Sequence, residues 1–200
     1  MKTAFSLIVL VLALSGCVNL GQRADTPGVV YYVLDDNGST ATPAPARADA
    51  PTLRILDTTA GAFYDTDQLV FSRSPGTRGQ YQFARWTERP GKRFVELLRA
   101  RLDRLGRYRV TSTGGYVRSD FLLDTRLVEF YHDAAHEPGQ VRLELRAELV
   151  DLKHRTWLGR RVFEQHVPLT TYDAAGAAQA SSLAASRVLD DLDAWLATFE

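Results

Sequence analysis

The residue types in this sequence that could take part in chemistry are one cysteine, Cys17, four histidines and several paired carboxylates. A thiol could act as a nucleophile or a metal ligand or carry a lipid, and three or four converging ligands could hold zinc. His132 and His136 lie four residues apart, but Pro138 and Gly139 follow in the manner of a hairpin. No metal-binding spacing surrounds them, so we expect solvated histidines and no metal site.

Motifs for catalysis are also missing from the sequence. There is no Gly-x-Ser-x-Gly nucleophile elbow and no P-loop. The run Asp35-Asp36-Asn37-Gly38 resembles the start of a calcium loop but lacks the closing carboxylate, and it predicts a turn. The 24 basic and 24 acidic side chains balance, which provides no long-range field for nucleic acid. We therefore expect a protein that is not an enzyme, holds no cofactor and binds no nucleic acid.

The segment before Cys17 indicates a different use for its thiol. Lys2 is followed by an uncharged apolar stretch, Ala4–Ser15, whose 12 residues would form a helix only about 18 Å long against a hydrocarbon core of ~30 Å. That length is typical of a signal peptide. The run Leu14-Ser15-Gly16-Cys17 resembles the bacterial lipobox, in which cleavage precedes the cysteine and the thiol is acylated. We predict a signal peptide over residues 1–16 and a covalent lipid on Cys17. The alternatives are a secretory signal with an incidental cysteine and a buried N-terminal helix.

Hydrophobic patterning predicts one α+β domain, with a mainly antiparallel sheet and two helices packed on one face. We assign residues 17–51 to a lipidated tether and linker and residues 52–200 to the domain. Strands are predicted at Leu53–Thr58, Gln68–Arg73, Gly79–Arg85, Tyr108–Ser112, Phe121–His132 with a bulge near Leu127-Val128, Gln140–Leu152 and Trp157–Pro168. The first helix is predicted to run from Pro90 to a C-cap at Gly106, and the second over Asp173–Glu200, with Leu183 in its core-facing stripe.

Two segments precede the first of these strands. Val29–Leu34 is prone to form a strand, and whether Tyr31 and Tyr32 dock on the domain is open; we favour docking, because a free tether gains nothing from two exposed tyrosines. Ser39–Pro51 is rich in Ala, Pro and Thr and has almost no large apolar residue. We expect this stretch to be a linker or loop that does not order itself.

One local motif stands out between the third of these strands and the first helix. It places Tyr81 and Phe83 two residues apart on a strand, followed by Arg85 and Trp86 where the chain leaves the sheet. Arg and Trp are common interface residues, so these four side chains are candidates for binding a partner. The alternative is that Trp86 closes the end of the core and Arg85 pairs with a carboxylate.

The chain resembles the ABC-type transport auxiliary lipoprotein family, the PqiC-like lipoproteins associated with MCE-type lipid transport. The resemblance is carried by Tyr32-Val33-Leu34, by Tyr81-x-Phe83-x-Arg85-Trp86 before a helix, by the long strand pair and by Trp195-Leu196 in an Ala-rich final helix. It covers nearly the whole chain after Cys17. It implies a non-catalytic periplasmic lipoprotein that works with an MCE-domain protein, a permease and an ATPase.

The resemblance also implies a location. In enteric bacteria, Asp after the lipidated cysteine retains a lipoprotein in the inner membrane, and this sequence has Val18 there. We therefore expect the periplasmic face of the outer membrane, with the inner membrane as the alternative. Two other functions compete with that of an auxiliary lipoprotein: a domain that itself carries lipid, and an envelope hydrolase. A carrier requires an apolar cavity between the sheet and the helices, and a hydrolase requires a polar cluster in a cleft.

Overall fold

A computed structural model describes residues 28–38, 44–112, 114 and 117–199. The predicted signal peptide and Cys17 lie outside these residues. The described residues form one α+β domain with nine strands and two α-helices. The strands are β1 Val30–Tyr32, β2 Thr52–Ile55, β3 Thr59–Ala60, β4 Gln68–Ser72, β5 Gly79–Trp86, β6 Arg109–Ser112, β7 Phe121–Asp133, β8 Gln140–Asp151 and β9 Thr156–Pro168; the helices are α1 Pro90–Leu105 and α2 Ala174–Leu196, which continues into a 3-10 turn at Ala197–Phe199.

The long strand β7 is the centre of the sheet and joins two groups of strands. On one edge it pairs antiparallel with β8, which pairs antiparallel with β9. On the other edge β2, β3 and β4 follow one another, each parallel to β7. Beyond β2 lies β6, and beyond β4 lie β5 and then β1.

The α+β class and the two helices of the prediction are confirmed, but the sheet is mixed and not purely antiparallel. Five of the strand pairings among the described residues are parallel and three are antiparallel. Alternating hydrophobicity identifies strands and local hairpins. It carries no information about which strand lies beside a distant one, so the parallel pairings with β7 were not predictable from it.

The predicted one-sided sheet is clearest in β8. Its inward residues are buried, and the charged residues between them, such as Arg142 and Glu144, are only partly covered. The predicted irregularity of β7 is also present, as a shift of register between Leu127 and Glu129. The buried inward residues of β8 are Val141, Leu143, Leu145, Ala147 and Leu149.

The helices begin and end close to the predicted residues. Pro90 occupies the first turn of α1, and Gly106 ends it in a left-handed conformation with φ of 67°. A Cβ at Gly106 would also lie 2.6 Å from the carbonyl oxygen of Ala44, so the chain approaches too closely for a side chain. Leu183, predicted to face the core, is instead 41% exposed on α2. Neither α-helix in the described ranges is long and apolar enough to span a membrane.

The N-terminal segment is part of the sheet. Strand β1 pairs in parallel with β5, with Tyr31 beside Arg85 and Tyr32 beside Trp86, so the favoured docking of the two tyrosines is confirmed. The stretch expected to be a disordered linker is held as well where it is described. The Ala44 N–H donates to the carbonyl of Arg104 at 3.0 Å, and Ala50 is fully buried. Backbone hydrogen bonds to the end of α1 therefore hold this stretch although it lacks large apolar residues.

Candidate functional site

Strand β5 carries the four candidate residues and gives them different surroundings. Trp86 is 3% exposed and packs on Phe130, with ring centres 5.7 Å apart. The guanidinium of Arg85 lies 3.9 Å from the carboxylate of Asp67. These are the packing roles that the sequence left as the alternative. Phe83 is 37% exposed, so it is open to contact, whereas Trp86 could not reach a partner without opening the core.

Tyr81 turns towards the central strand and meets a histidine there. Its hydroxyl lies 2.7 Å from Nδ1 of His132, and the two rings are nearly coplanar at 5°. Phe71 stands edge-on to Tyr81, and Tyr172 stands edge-on to His132. We call Phe71, Tyr81, His132 and Tyr172 the aromatic pocket, because they line a half-open cavity of about 290 Å³.

His132 is a correction to the sequence analysis, which expected a solvated histidine. It is 2% exposed because strand register sets it opposite the fully buried Val141. Burial lowers the pKa of its imidazole, although Asp133 and Asp173 act in the opposite sense. Its Nε2 has no hydrogen-bond partner among the described residues. The alternating pattern of β7 and β8 is the sequence signal that could have placed it inside.

The protonation of the pair follows from burial. Burial raises the pKa of Tyr81 to about 12, so the phenol keeps its proton at neutral pH. Because His132 is neutral when buried, Tyr81 can donate its hydroxyl proton to Nδ1, which leaves the hydrogen of the imidazole on Nε2. This hydrogen bond fixes the position of the Tyr81 ring relative to the His132 ring. In the described part of the chain, no group of three or more His, Cys, Asp or Glu residues could hold a metal ion.

The mouth of the aromatic pocket carries polar side chains that could recognise a partner. Arg73 is exposed there, with its guanidinium carbon 5.1 Å from the centre of the Phe71 ring. Gln80 and Gln82 line the same cavity. A cavity of this size could take one side chain of a partner protein, held by aromatic contacts and a few hydrogen bonds. The side chains around this cavity are therefore suited to binding.

A second arrangement joins the N-terminal segment to both helices. Arg101 of α1 donates two hydrogen bonds to Asp36, from Nε to Oδ2 at 2.8 Å and from Nη2 to Oδ1 at 2.5 Å, and its Nη1 donates to Asp190 of α2. We call these three residues the Asp36 clamp. The Asp36 and Arg101 side chains are 6% and 5% exposed. Burial would raise the pKa of Asp36, but the hydrogen bonds and the positive charge of Arg101 hold it below its usual value.

Neighbouring contacts extend the Asp36 clamp along the segment. Leu34 is buried, and its carbonyl accepts a hydrogen bond from Nε of Arg93 at 2.8 Å. The Asp35 N–H donates to the hydroxyl of Ser182 on α2 at 3.2 Å. Residues 34–36 are therefore built into the domain. The sequence analysis missed this arrangement because a lone aspartate in a turn does not indicate a distant arginine.

Comparison with known proteins gives one family and a number of similar solved structures. The model of the family described as ABC-type transport auxiliary lipoprotein component matches residues 32–192. No curated protein matches the chain. A Xanthomonas campestris protein assigned to DUF330 is similar, with a TM-score of 0.72 and 23% identity over 84% of this chain and 94% of that one. A second solved structure, of an uncharacterized protein, has a TM-score of 0.66 and 12% identity over 84% and 99%. At these identities the two structures share the fold alone.

Proposed function

Because this chain belongs to the family of ABC-type transport auxiliary lipoprotein components, we propose that it docks a lipid transport assembly at the outer membrane. In this proposal a lipid on Cys17 attaches it to the periplasmic face of that membrane. The partner is an MCE-domain protein that works with a permease and an ATPase. The assembly moves lipids between the inner and outer membranes, and this subunit performs no reaction.

The observation that carries the proposal is the Asp36 clamp. A docking subunit must hold the surface that its partner binds at a fixed position relative to its membrane attachment. Here the described N-terminal segment pairs with the sheet at β5 and is held by Arg101 of α1, which also pairs with Asp190 of α2. A buried, bidentate arginine–carboxylate pair has a fixed geometry, which suits such a mechanical connection.

The competing function, a domain that carries lipid, requires an apolar cavity between sheet and helices. The cavity lined by Trp86 and Phe130 of the sheet and by Ala177 and Ser181 of α2 has a volume of about 10 Å³. That space suits one water at most, whereas even benzene needs a cavity of ~150 Å³. The packing of α2 on the sheet therefore supports docking over carriage.

Association with the partner is the direct test. The lipidated protein should co-purify with the MCE-domain protein of the same cell. We expect Arg73→Glu to weaken that association, because it reverses the exposed charge at the mouth of the aromatic pocket. Lys153→Glu reverses an exposed charge in the β8–β9 turn and is the matched control. If the unaltered protein does not co-purify with the MCE-domain protein, the proposal is wrong; if both variants bind equally, the contact lies elsewhere.

The membrane is tested separately by cell fractionation. Cys17→Ala should release the chain from membranes, because it removes the acceptor of the lipid. Val18→Asp should move the protein from the outer to the inner membrane fraction if the enteric sorting rule applies. Val18→Ser is the control and should leave the fraction unchanged. If Cys17→Ala does not release the chain from membranes, the lipid attachment is contradicted.

A further inference from the structure

Exposed apolar side chains gather on one part of the surface, along β1 and β5. Eleven large hydrophobic side chains are exposed among the described residues, and five of them belong to this region. Tyr31, in the outermost strand, is 62% exposed. The five are Val29, Val30, Tyr31, Val33 and Phe83. We call three of them, Val29, Tyr31 and Phe83, the apolar strip.

Strand register explains how residues distant in sequence form this strip. Strands β1 and β5 are parallel, with Val30 beside Ala84 and Tyr31 beside Arg85. Continuing the register back by one residue sets Val29 beside Phe83. Because side chains alternate along a strand, Val29, Tyr31 and Phe83 then share one face. Contiguous exposed apolar surface of this kind marks an interaction site.

We propose that the apolar strip lies against the lipid bilayer that holds the lipid of this chain and so fixes the orientation of the domain. The proposal rests on the proposed function in requiring the lipid on Cys17. Val29 is the twelfth residue after Cys17, and a chain of that length spans at most about 40 Å when fully extended. In every attached molecule Val29 is therefore within about 40 Å of the attachment point, and it is the second described residue of the chain.

The chemistry of the strip favours a bilayer over a protein strand. Strand β1 is three residues long, so a strand added to its edge would gain few backbone hydrogen bonds. Apolar contact needs no such alignment, and tyrosine suits the boundary between apolar chains and water. The lipid attachment already concentrates the domain at the membrane, so even a weak contact is occupied.

The test measures how close single positions come to the bilayer. Cys17 is the only cysteine of the chain and is lipidated in this proposal, so an introduced cysteine is the only free thiol. Phe83→Cys and Val29→Cys place an environment-sensitive fluorophore on the strip. Val162→Cys, at an exposed valine of β9, is the matched control. The lipidated variants are reconstituted in phosphatidylethanolamine–phosphatidylglycerol vesicles at less than one protein per vesicle, with a shallow nitroxide-labelled lipid as quencher.

We expect several-fold greater quenching at positions 83 and 29 than at position 162. Equal quenching at all three positions, with the protein still floating with the vesicles, overturns the strip contact and leaves the lipid attachment intact. Protection of position 83 that appears only at many proteins per vesicle assigns the strip to a second copy and also overturns it. Failure of the unaltered protein to float overturns both the attachment and the inference that rests on it.

Discussion

The backbone of Gly139 lies directly against the buried ring of His132. A Cβ at Gly139 would stand 2.4 Å from Nε2 of that ring and 2.7 Å from the carbonyl oxygen of Asp133. Gly139 also has φ of +76°, a conformation that residues with side chains rarely adopt. The hairpin between β7 and β8 thus closes over His132 only because this residue is glycine.

This contact makes Gly139→Ala strongly destabilising. The methyl group would have to displace backbone, which cannot move without opening the hairpin, so we expect a loss of about 3 kcal/mol in the free energy of unfolding. Gly76→Ala is the matched control, because Gly76 has φ of +74° and nothing within 4 Å of its Cβ position. It carries only the conformational cost of roughly 1–2 kcal/mol. Urea unfolding compares the two, and equal losses would contradict the close contact.

The Asp36 clamp predicts a large effect of a small substitution. Asp36→Ala removes both hydrogen bonds of a buried arginine and leaves it with Asp190 alone, so we expect a loss of about 2–4 kcal/mol in the free energy of unfolding. Asp35→Ala is the control, because Asp35 is more than half exposed and its pair with Arg93 at 3.6 Å contributes at most ~1 kcal/mol. The measurement is urea unfolding followed by tryptophan fluorescence. Similar losses for the two variants would show that the clamp is not held in the folded state.

His132 predicts a dependence of stability on pH. Its folded pKa lies below the ordinary value of 6.5 because of burial, so between the two values the unfolded chain binds more protons. The stability that the neutral, buried His132 contributes is fully present above pH 6.5 and is lost as the pH falls through the folded pKa. In His132→Phe that part of the loss should disappear, although the variant is less stable overall because Tyr81 loses its acceptor.

The pH prediction is checked by unfolding at about pH 7.5 and about pH 5.5. The difference between the two free energies should be smaller in His132→Phe than in the unaltered protein. His136→Gln changes an exposed histidine four residues away and should leave the difference as it is. An unchanged difference in His132→Phe would contradict the assignment to His132.

Trp86 and Phe83 are predicted to separate packing from surface contact. Trp86→Ala empties a buried site against Phe130 and should cost about 3–5 kcal/mol of stability. Phe83→Ala removes an exposed ring, and we expect a change in the free energy of unfolding within ~0.5 kcal/mol. Thermal unfolding of both variants checks this. A large loss at position 83 would mean that its ring also supports the sheet and is not simply a surface group.

The sequence predicts those features that depend on neighbouring residues. The clean alternation of Gln140–Leu152 predicts a strand with one buried face, and Gly106 ends α1 because a left-handed residue closes the last turn. The irregularity near Leu127 could be predicted since the alternation changes phase there. Each of these follows from local geometry, which the sequence order contains directly.

What the sequence could not predict depends on residues far apart along the chain. From the sequence alone, Asp36 is predicted to be part of a turn, because Arg101, which pairs with it in the folded chain, lies 65 residues later. His132 differs from Asp36 in this respect, because the hairpin register that sets it opposite Val141 is local and could have placed it inside. The residue types of the four candidates on β5 indicated a role in binding a partner. Only the packing of the folded chain determines that Trp86 faces the core and Phe83 faces solvent. The partner-binding role of the four stays a prediction.

The placement of β7 has a consequence for the order in which the exported chain can fold. Strands β2, β3 and β4 take their places along β7, which is made after them in the sequence. Until residues 121–133 are available, the pairs β2–β6 and β4–β5 have nothing to join them. A sheet assembled on a late strand requires closure of long loops, which slows folding. The domain therefore has no N-terminal half that could complete its sheet alone, and we expect a chain that ends before β7 to remain a substrate for chaperones and proteases.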